Sequence, residues 1–315
     1  MYNVEESVSV QHELFPRVSV TAGWFHRDYK HLFRRTNTLQ TFADYTPFTL
    51  FSPIDGSAIT YYNVSAAKRS AVSTIDENAS GDRRMWFNGL EYNFNARLPH
   101  GITLFGGGTS ERTIAQVCDE KANPNLLLYC DPTLTGIPWR TQFEIAGSVP
   151  IRFGLQASFS FQSLPGYRFG TPAQYALTGT SGPSVTTNSN PPNGAATVWL
   201  ISPRPRYTAC PCNSASAGCV VGALVDPGMT VASLSVPLKA PNTEYGDRIN
   251  QLDVSITKTI KVGRASFQPK LDFFNLLNVS PVIDIRGLNF GTTAYYQPSS
   301  VLVGRVYQLG AIVKF

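Results

Sequence analysis

Val303 to Phe315, VGRVYQLGAIVKF, decides the fold. Tyr307, Leu309, Ala311, Val313 and Phe315 fall on one face, and Val306, Gln308, Gly310, Ile312 and Lys314 fall on the other. A period of two is a strand. The stretch closes on an aromatic residue, which gains nothing at a fraying end in water but is at home in lipid.

Working outward, strand signals recur in pairs. Ser7–Leu14 and Val18–Trp24 flank Phe15-Pro16-Arg17, Leu90–Leu98 and Ile102–Phe105 flank Pro99-His100-Gly101, and Trp139–Val149 and Phe153–Ser163 meet at Pro150-Ile151-Arg152. Leu252–Ile260 meets Ala265–Phe273 across Val262-Gly263-Arg264. Each pair reads as a hairpin closed by turn-forming residues. With the last stretch, this makes nine strands. Their other ends are joined by long polar segments, Lys30–Arg84 and Leu164–Asp247 among them. Short turns on one side and long loops on the other mark an outer-membrane β-barrel, whereas a compact soluble domain has few structureless loops of that length.

The faces agree. Leu252, Val254 and Ile256 alternate with Asp253, Ser255 and Thr257, and Phe267, Pro269, Leu271 and Phe273 alternate with Ser266, Gln268, Lys270 and Asp272. A soluble β-sandwich shows the same alternation. Two features favour a barrel instead: segments of the length that crosses a tilted bilayer, and Trp24, Trp86, Trp139, Tyr92, Phe273 and Tyr307 near strand ends, where aromatic girdles sit.

Composition narrows the classes. Of 315 residues only 15% are charged, 43% are hydrophobic and 12% aromatic, and no run of about 20 apolar residues offers a spanning helix. The net charge is +5, but the basic residues are scattered, which argues against a nucleic-acid partner. The first residues lack the pattern of a secretory signal, so a missing start is expected. The four histidines, His12, His26, His31 and His100, fit no Gly-x-Ser-x-Gly elbow or His-Glu-x-x-His helix, so neither catalysis nor a cofactor is expected. Gly106-Gly107-Gly108 reads as a bulge or close packing within a strand.

Asp247-Arg248-Ile249-Asn250-Gln251-Leu252-Asp253, Lys258-Thr259-Ile260, the segment Asp272-Phe273-Phe274-Asn275-Leu276-Leu277-Asn278 and the last strand together resemble the C-terminal barrel of TonB-dependent outer-membrane receptors. The resemblance is to the Oar-like group with a carboxypeptidase-regulatory-like domain, and it spans nearly the whole chain. Tyr61-Tyr62-Asn63, Asn123-Pro124-Asn125 and Cys130-Asp131 resemble loop features of the same group.

The resemblance implies an all-β, antiparallel up-and-down transmembrane barrel of about 22 strands in the cell outer membrane, with short periplasmic turns and long extracellular loops. Residues 1–315 would be its C-terminal portion, without plug domain or signal peptide, because an odd set of nine strands does not close. The implied function is capture and energised import of an unknown extracellular ligand, with the TonB complex engaged through the missing N-terminal part. The alternatives are a structural, adhesive or passive barrel, closed by extra strands such as Ala58–Val64 and Val231–Leu238, and a soluble β-sandwich binding module.

Gln308, Gly310, Val313 and Phe315 resemble the signal read by the barrel-assembly machinery, which pairs with a free strand edge. All five cysteines fall in loops expected to be extracellular, which suits disulfides in an oxidising compartment. Cys118 and Cys130 bracket one short loop and are expected to pair. Among Cys210, Cys212 and Cys219 two are expected to pair, with Cys212–Cys219 one pairing, and no four-ligand metal pattern is present. The cluster His26, Arg27, Tyr29, Lys30, His31, Arg34 and Arg35 suggests either an anion-binding rim patch of Arg27, Lys30, Arg34 and Arg35, or the charged rim above an aromatic girdle.

Overall fold

The computed structural model describes residues 1–52, 54–79, 81–168, 197–201, 234–288, 290 and 293–315. It begins with β1 (Tyr2–Phe15) and β2 (Val18–Lys30), and a long loop then carries β3 (Phe33–Asn37), β4 (Tyr45–Phe51), β5 (Ala58–Val64) and β6 (Thr74–Asn78). Next come β7 (Arg83–Arg97), β8 (Thr103–Val117), β9 (Arg140–Pro150) and β10 (Leu155–Leu164), then β11 (Thr197–Ile201) and β12 (Leu234–Lys239) in the third loop. Last are β13 (Ile249–Lys258), β14 (Ile260–Val262), β15 (Ala265–Phe274), β16 (Val282–Ile285), β17 (Pro298–Val301) and β18 (Val306–Lys314).

One antiparallel sheet forms a wall in the order β1-β2-β7-β8-β9-β10-β13-β15-β18, and β14 continues the line of β13 along β15. The sheet is up-and-down: each wall strand pairs with the next one in the chain. Among the described residues it is open, with β1 and β18 at its two edges.

Register fixes the two faces. Val20, Phe94, Gly106, Ile145, Phe161 and Leu252 make one cross-strand row. One residue along, Thr21, Asn93, Gly107, Glu144, Gln162 and Gln251 make the next. Because side chains alternate across a strand, the first row is the apolar face and the second the polar one. The same division runs to the far edge: Ala157, Ile256, Leu271 and Leu309 against Ser158, Ser255, Asp272 and Gln308.

Several boundaries differ from the sequence reading. β8 runs on through Gly106–Gly108 to Val117 without a register shift, so the glycines mark close packing and no bulge. A Cβ on Gly106 would stand 2.9 Å from the Cα of Ile145 and 3.0 Å from the Phe94 ring, and one on Gly108 would meet the Tyr92 hydroxyl at 2.6 Å. The strand expected over Leu252–Ile260 breaks at Thr259, whose N–H donates to the Gly154 carbonyl at 2.8 Å. Its partner hairpin turns at Phe153 and Gly154, both at positive φ, so β10 starts at Leu155. The last strand was expected from Val303 but starts at Val306, because Asn275 and Asn278 hold the Val303 carbonyl and the Arg305 N–H.

The two long loops read as structureless carry hairpins. Ala58–Val64 is indeed a strand, but it pairs with β4, and β12, within Val231–Leu238 apart from Lys239, pairs with β11. Neither enters the wall, so neither supplies the extra strands that would close a small barrel.

The buried apolar cluster lies in these loops, not in the wall. Ile59, Tyr61, Val236 and Leu238 form it, packed by Phe48, Leu128 and Phe290. Large apolar side chains of the wall stay exposed: Leu90 by 48%, Phe267 by 42% and Leu309 by 82%. No described element covers that face.

Candidate functional site: a polar hollow beneath a loop cap

The polar face encloses a hollow of about 740 Å³ that reaches from Gln11 on β1 to Ser160 on β10. One hollow bounded by six neighbouring strands requires the sheet to curl, since flat strands about 4.8 Å apart would spread those residues along a plane. Gly107 is its bare floor, and a Cβ there would overlap the Asn93 side-chain oxygen and the Tyr92 carbonyl. Glu91, Gln142, Glu144, Thr109 and Ser160 present carboxylate, amide and hydroxyl groups to it. The charged groups of the lining, Glu91 and Glu144, are both acidic. Toward the loops a slot of about 200 Å³ lies between Phe25, Phe87 and the Glu5–Arg27 pair.

Above the hollow the loops are tied to one another. The Tyr62 N–H donates to Asn125 Oδ1 at 2.7 Å, and Asn125 Nδ2 donates back to the Tyr62 carbonyl at 2.8 Å. Asn123, accepting from the Asn125 N–H, caps the single turn Pro124–Leu127 that presents Asn125. Thus Tyr61-Tyr62-Asn63 and Asn123-Pro124-Asn125, from separate loops, meet in space. Tyr61 Oη donates to the Ser235 carbonyl at 2.6 Å, and Tyr129 Oη to that of Leu238 at 3.2 Å. Burial pushes the Tyr61 and Tyr129 phenols up, and burial with Glu120 nearby pushes Tyr45 up to about 12, so these groups remain neutral donors.

A buried ionic knot fastens the cap to the wall. The Asp119 side chain is fully buried, with Arg83 Nε at 2.8 Å and Arg34 Nη1 at 3.4 Å. Arg34, 2% exposed, also donates to the Asp119 carbonyl and, at 2.9 Å, to Glu77. The adjacent Cys118 is disulfide-bonded to Cys130, as expected. Sequence inspection missed this knot because Arg34, Arg83 and Asp119 are far apart in the chain.

The four residues of the anion-patch alternative do not converge. Arg27 lies on the polar face with Glu5, its Nε donating at 2.8 Å, and Lys30 lies on the opposite face with Asp28 at 3.0 Å. Arg34 is buried in the knot, and Arg35 pairs with Asp76 at 2.8 Å. Strand parity sends consecutive cations to opposite faces, and each has its own carboxylate. His26, on the apolar face, stacks on Trp24 and hydrogen-bonds Asn88 at 2.8 Å.

Gln308 and Gly310 stand on the polar face opposite Asp272 and Lys270, while Val313 lies on the apolar face opposite Phe267. Phe315 follows β18 and is fully exposed. Cys210, Cys212 and Cys219 lie outside the described residues. Among the described residues no three His, Cys, Asp or Glu side chains gather at a metal-binding distance.

No protein-family model matches the sequence, and no curated protein matches it. Among solved structures it is similar to the outer membrane transporter YddB from Escherichia coli, at 10% identity and a TM-score of 0.40, over 99% of this chain and 32% of that one. It is likewise similar to the siderophore receptor PirA from Acinetobacter baumannii, at 12% identity and a TM-score of 0.40, over 99% of this chain and 31% of that one. The chain thus spans about a third of the length of each.

Proposed function

We propose that this chain is a wall section of an outer-membrane transport receptor, whose polar hollow lines an import path and whose loop cap captures the ligand. One observation carries the reading: an apolar face continues across nine strand lines with no described element over it, while its reverse is polar and concave. In water an uncovered oily surface of that extent would drive aggregation, whereas lipid suits it. A β-sandwich would need a second sheet against it.

Coupling to an energising inner-membrane complex, and insertion by assembly machinery that reads Gln308, Gly310, Val313 and Phe315, belong to the same proposal. Sequence resemblance supports both.

Paired single-cysteine variants, made in the polypeptide as its own cells produce it, test the faces. Ser160→Cys should react with a membrane-impermeant maleimide in opened outer-membrane vesicles, and Phe159→Cys should react at least tenfold more slowly. Equal rates would sink the membrane reading. Ligand uptake that persists after the proton gradient is collapsed would point instead to a passive pore.

A further inference from the structure

At the loop-bearing rim the apolar face becomes basic. Arg84 stands opposite Gln116 on this face, with Trp86 two residues below it and Asn88 two below that. Arg112 lies opposite Asn88. Farther round, Arg248 reaches over the rim to Ser163 Oγ at 2.7 Å and to the carbonyls of Thr141 and Ser163 at 2.7 and 3.0 Å.

These guanidiniums are charged. Arg84 donates to the Gly81 carbonyl at 3.0 Å, and Arg112 lies over the Trp139 ring at 5.2 Å with its buried Nε unpartnered. Among the described residues none of the three forms an ion pair, unlike Arg27, Lys30, Arg34 and Arg35. The only wall carboxylates on this face near the rim are Glu6, opposite His26, and Asp28, which is held by Lys30. Glu91, Glu111, Glu144, Asp253 and Asp272 all have the opposite parity and face the hollow. The wall is thus acidic within and basic on its outer rim.

We propose that Arg84, Arg112 and Arg248 bind phosphate groups of anionic lipid headgroups in the leaflet that meets this rim. The inference rests on the membrane reading above. A cation at the edge of hydrocarbon needs a nearby anion, and a charged side chain there donates charge-assisted hydrogen bonds to phosphate oxygens. Trp86, two residues from Arg84, and Trp139, beneath Arg112, are indole rings of the kind that gather at headgroups. The ligand is therefore a lipid, because a soluble anion would have to lie against oily surface.

The test measures retention of a bisphosphorylated glycolipid from mixed nonionic micelles by the purified polypeptide, made as its own cells make it. At about fivefold per cation, replacing all three arginines by Gln should weaken retention on the order of a hundredfold. Arg84→Lys/Arg112→Lys/Arg248→Lys should keep most of it, and Arg27→Gln, on the hollow side, should change nothing. Equal retention by the triple Gln variant, or displacement of the lipid by millimolar inorganic phosphate, would overturn the proposal. The cysteine labelling above separates the two failures. If Phe159→Cys is shielded and retention is unchanged, the headgroup inference alone is wrong; if Phe159→Cys reacts freely, the membrane reading is wrong.

Discussion

Asp119 and Asn275 show what single residues do here. Asp119 has a fully buried side chain between two guanidiniums, so Asp119→Ala would take the counter-ion from Arg83 and leave Arg34 with Glu77 alone. Removing one partner of a buried pair costs about 3–5 kcal/mol. The variant should show early protease cleavage within residues 31–82 while the wall stays resistant, and parental cleavage would show that the knot is dispensable. Asn275 sits 3% exposed at positive φ, with its amide donating to the Val279 and Val303 carbonyls at 2.8 and 2.9 Å. The Phe-Asn-Leu-Leu-Asn segment was conspicuous in the sequence. Its task, folding the strand exit back on itself, was not, because the partner at Val303 lies 28 residues away. Arg34 was misread for the same reason: a basic residue near other basic residues looks like surface until Asp119, 85 positions on, is seen beneath it.

At the scale of elements, alternation was legible wherever a strand had one oily and one wet face. β9, β10, β13 and β15 emerge nearly at their true bounds. β7 and β8 were cut short. Their loop-side ends carry polar residues on both faces, as rim strands do, and the glycines of β8 have no side chain to alternate. Gly107 gives an element-scale prediction. Gly107→Val would force a branched side chain against Asn93 and the Tyr92 backbone, an overpacking penalty of about 1–3 kcal/mol. Gly81→Ala, in a turn with nothing within 4 Å of a new Cβ and no positive φ, meets neither overlap nor backbone strain. Insertion yield, read as the folded fraction on unheated gels, should fall for Gly107→Val well below that of Gly81→Ala. Equal yields would remove the packing role from the β8 glycines.

For the whole molecule, the sequence disclosed a wall of nine strand lines and the side on which the long loops lie. It did not disclose that the loops build their own core, since its contacts join distant segments, as Tyr61 joins Ser235, 174 positions on. The cap should respond to acid. Hydrogen bonds from Thr36 and Arg34 hold Glu77 below its usual 4.5, and Arg35 holds Asp76 below its usual 3.8. A lowered carboxylate stabilises the fold above its ordinary value, and that contribution fades as pH falls through the lowered one. Protection of the β3 and β6 amides, taken relative to the intrinsic exchange rate at each pH, should therefore fall as pH drops through these titrations, while that of β9 and β10 holds. Uniform protection across that range would separate the hairpin from its ion pairs.

The buried cluster of Ile59, Tyr61, Val236 and Leu238 has one more consequence, for anyone who must follow this protein in a cell. The wall owes its order to the solvent around it, but the cap carries its own interior and a covalent clasp. An antibody raised against the folded cap would recognise a shape that outlasts extraction from the bilayer. Staining of intact cells would then report surface display, and the same reagent would score purified material for correct loop folding.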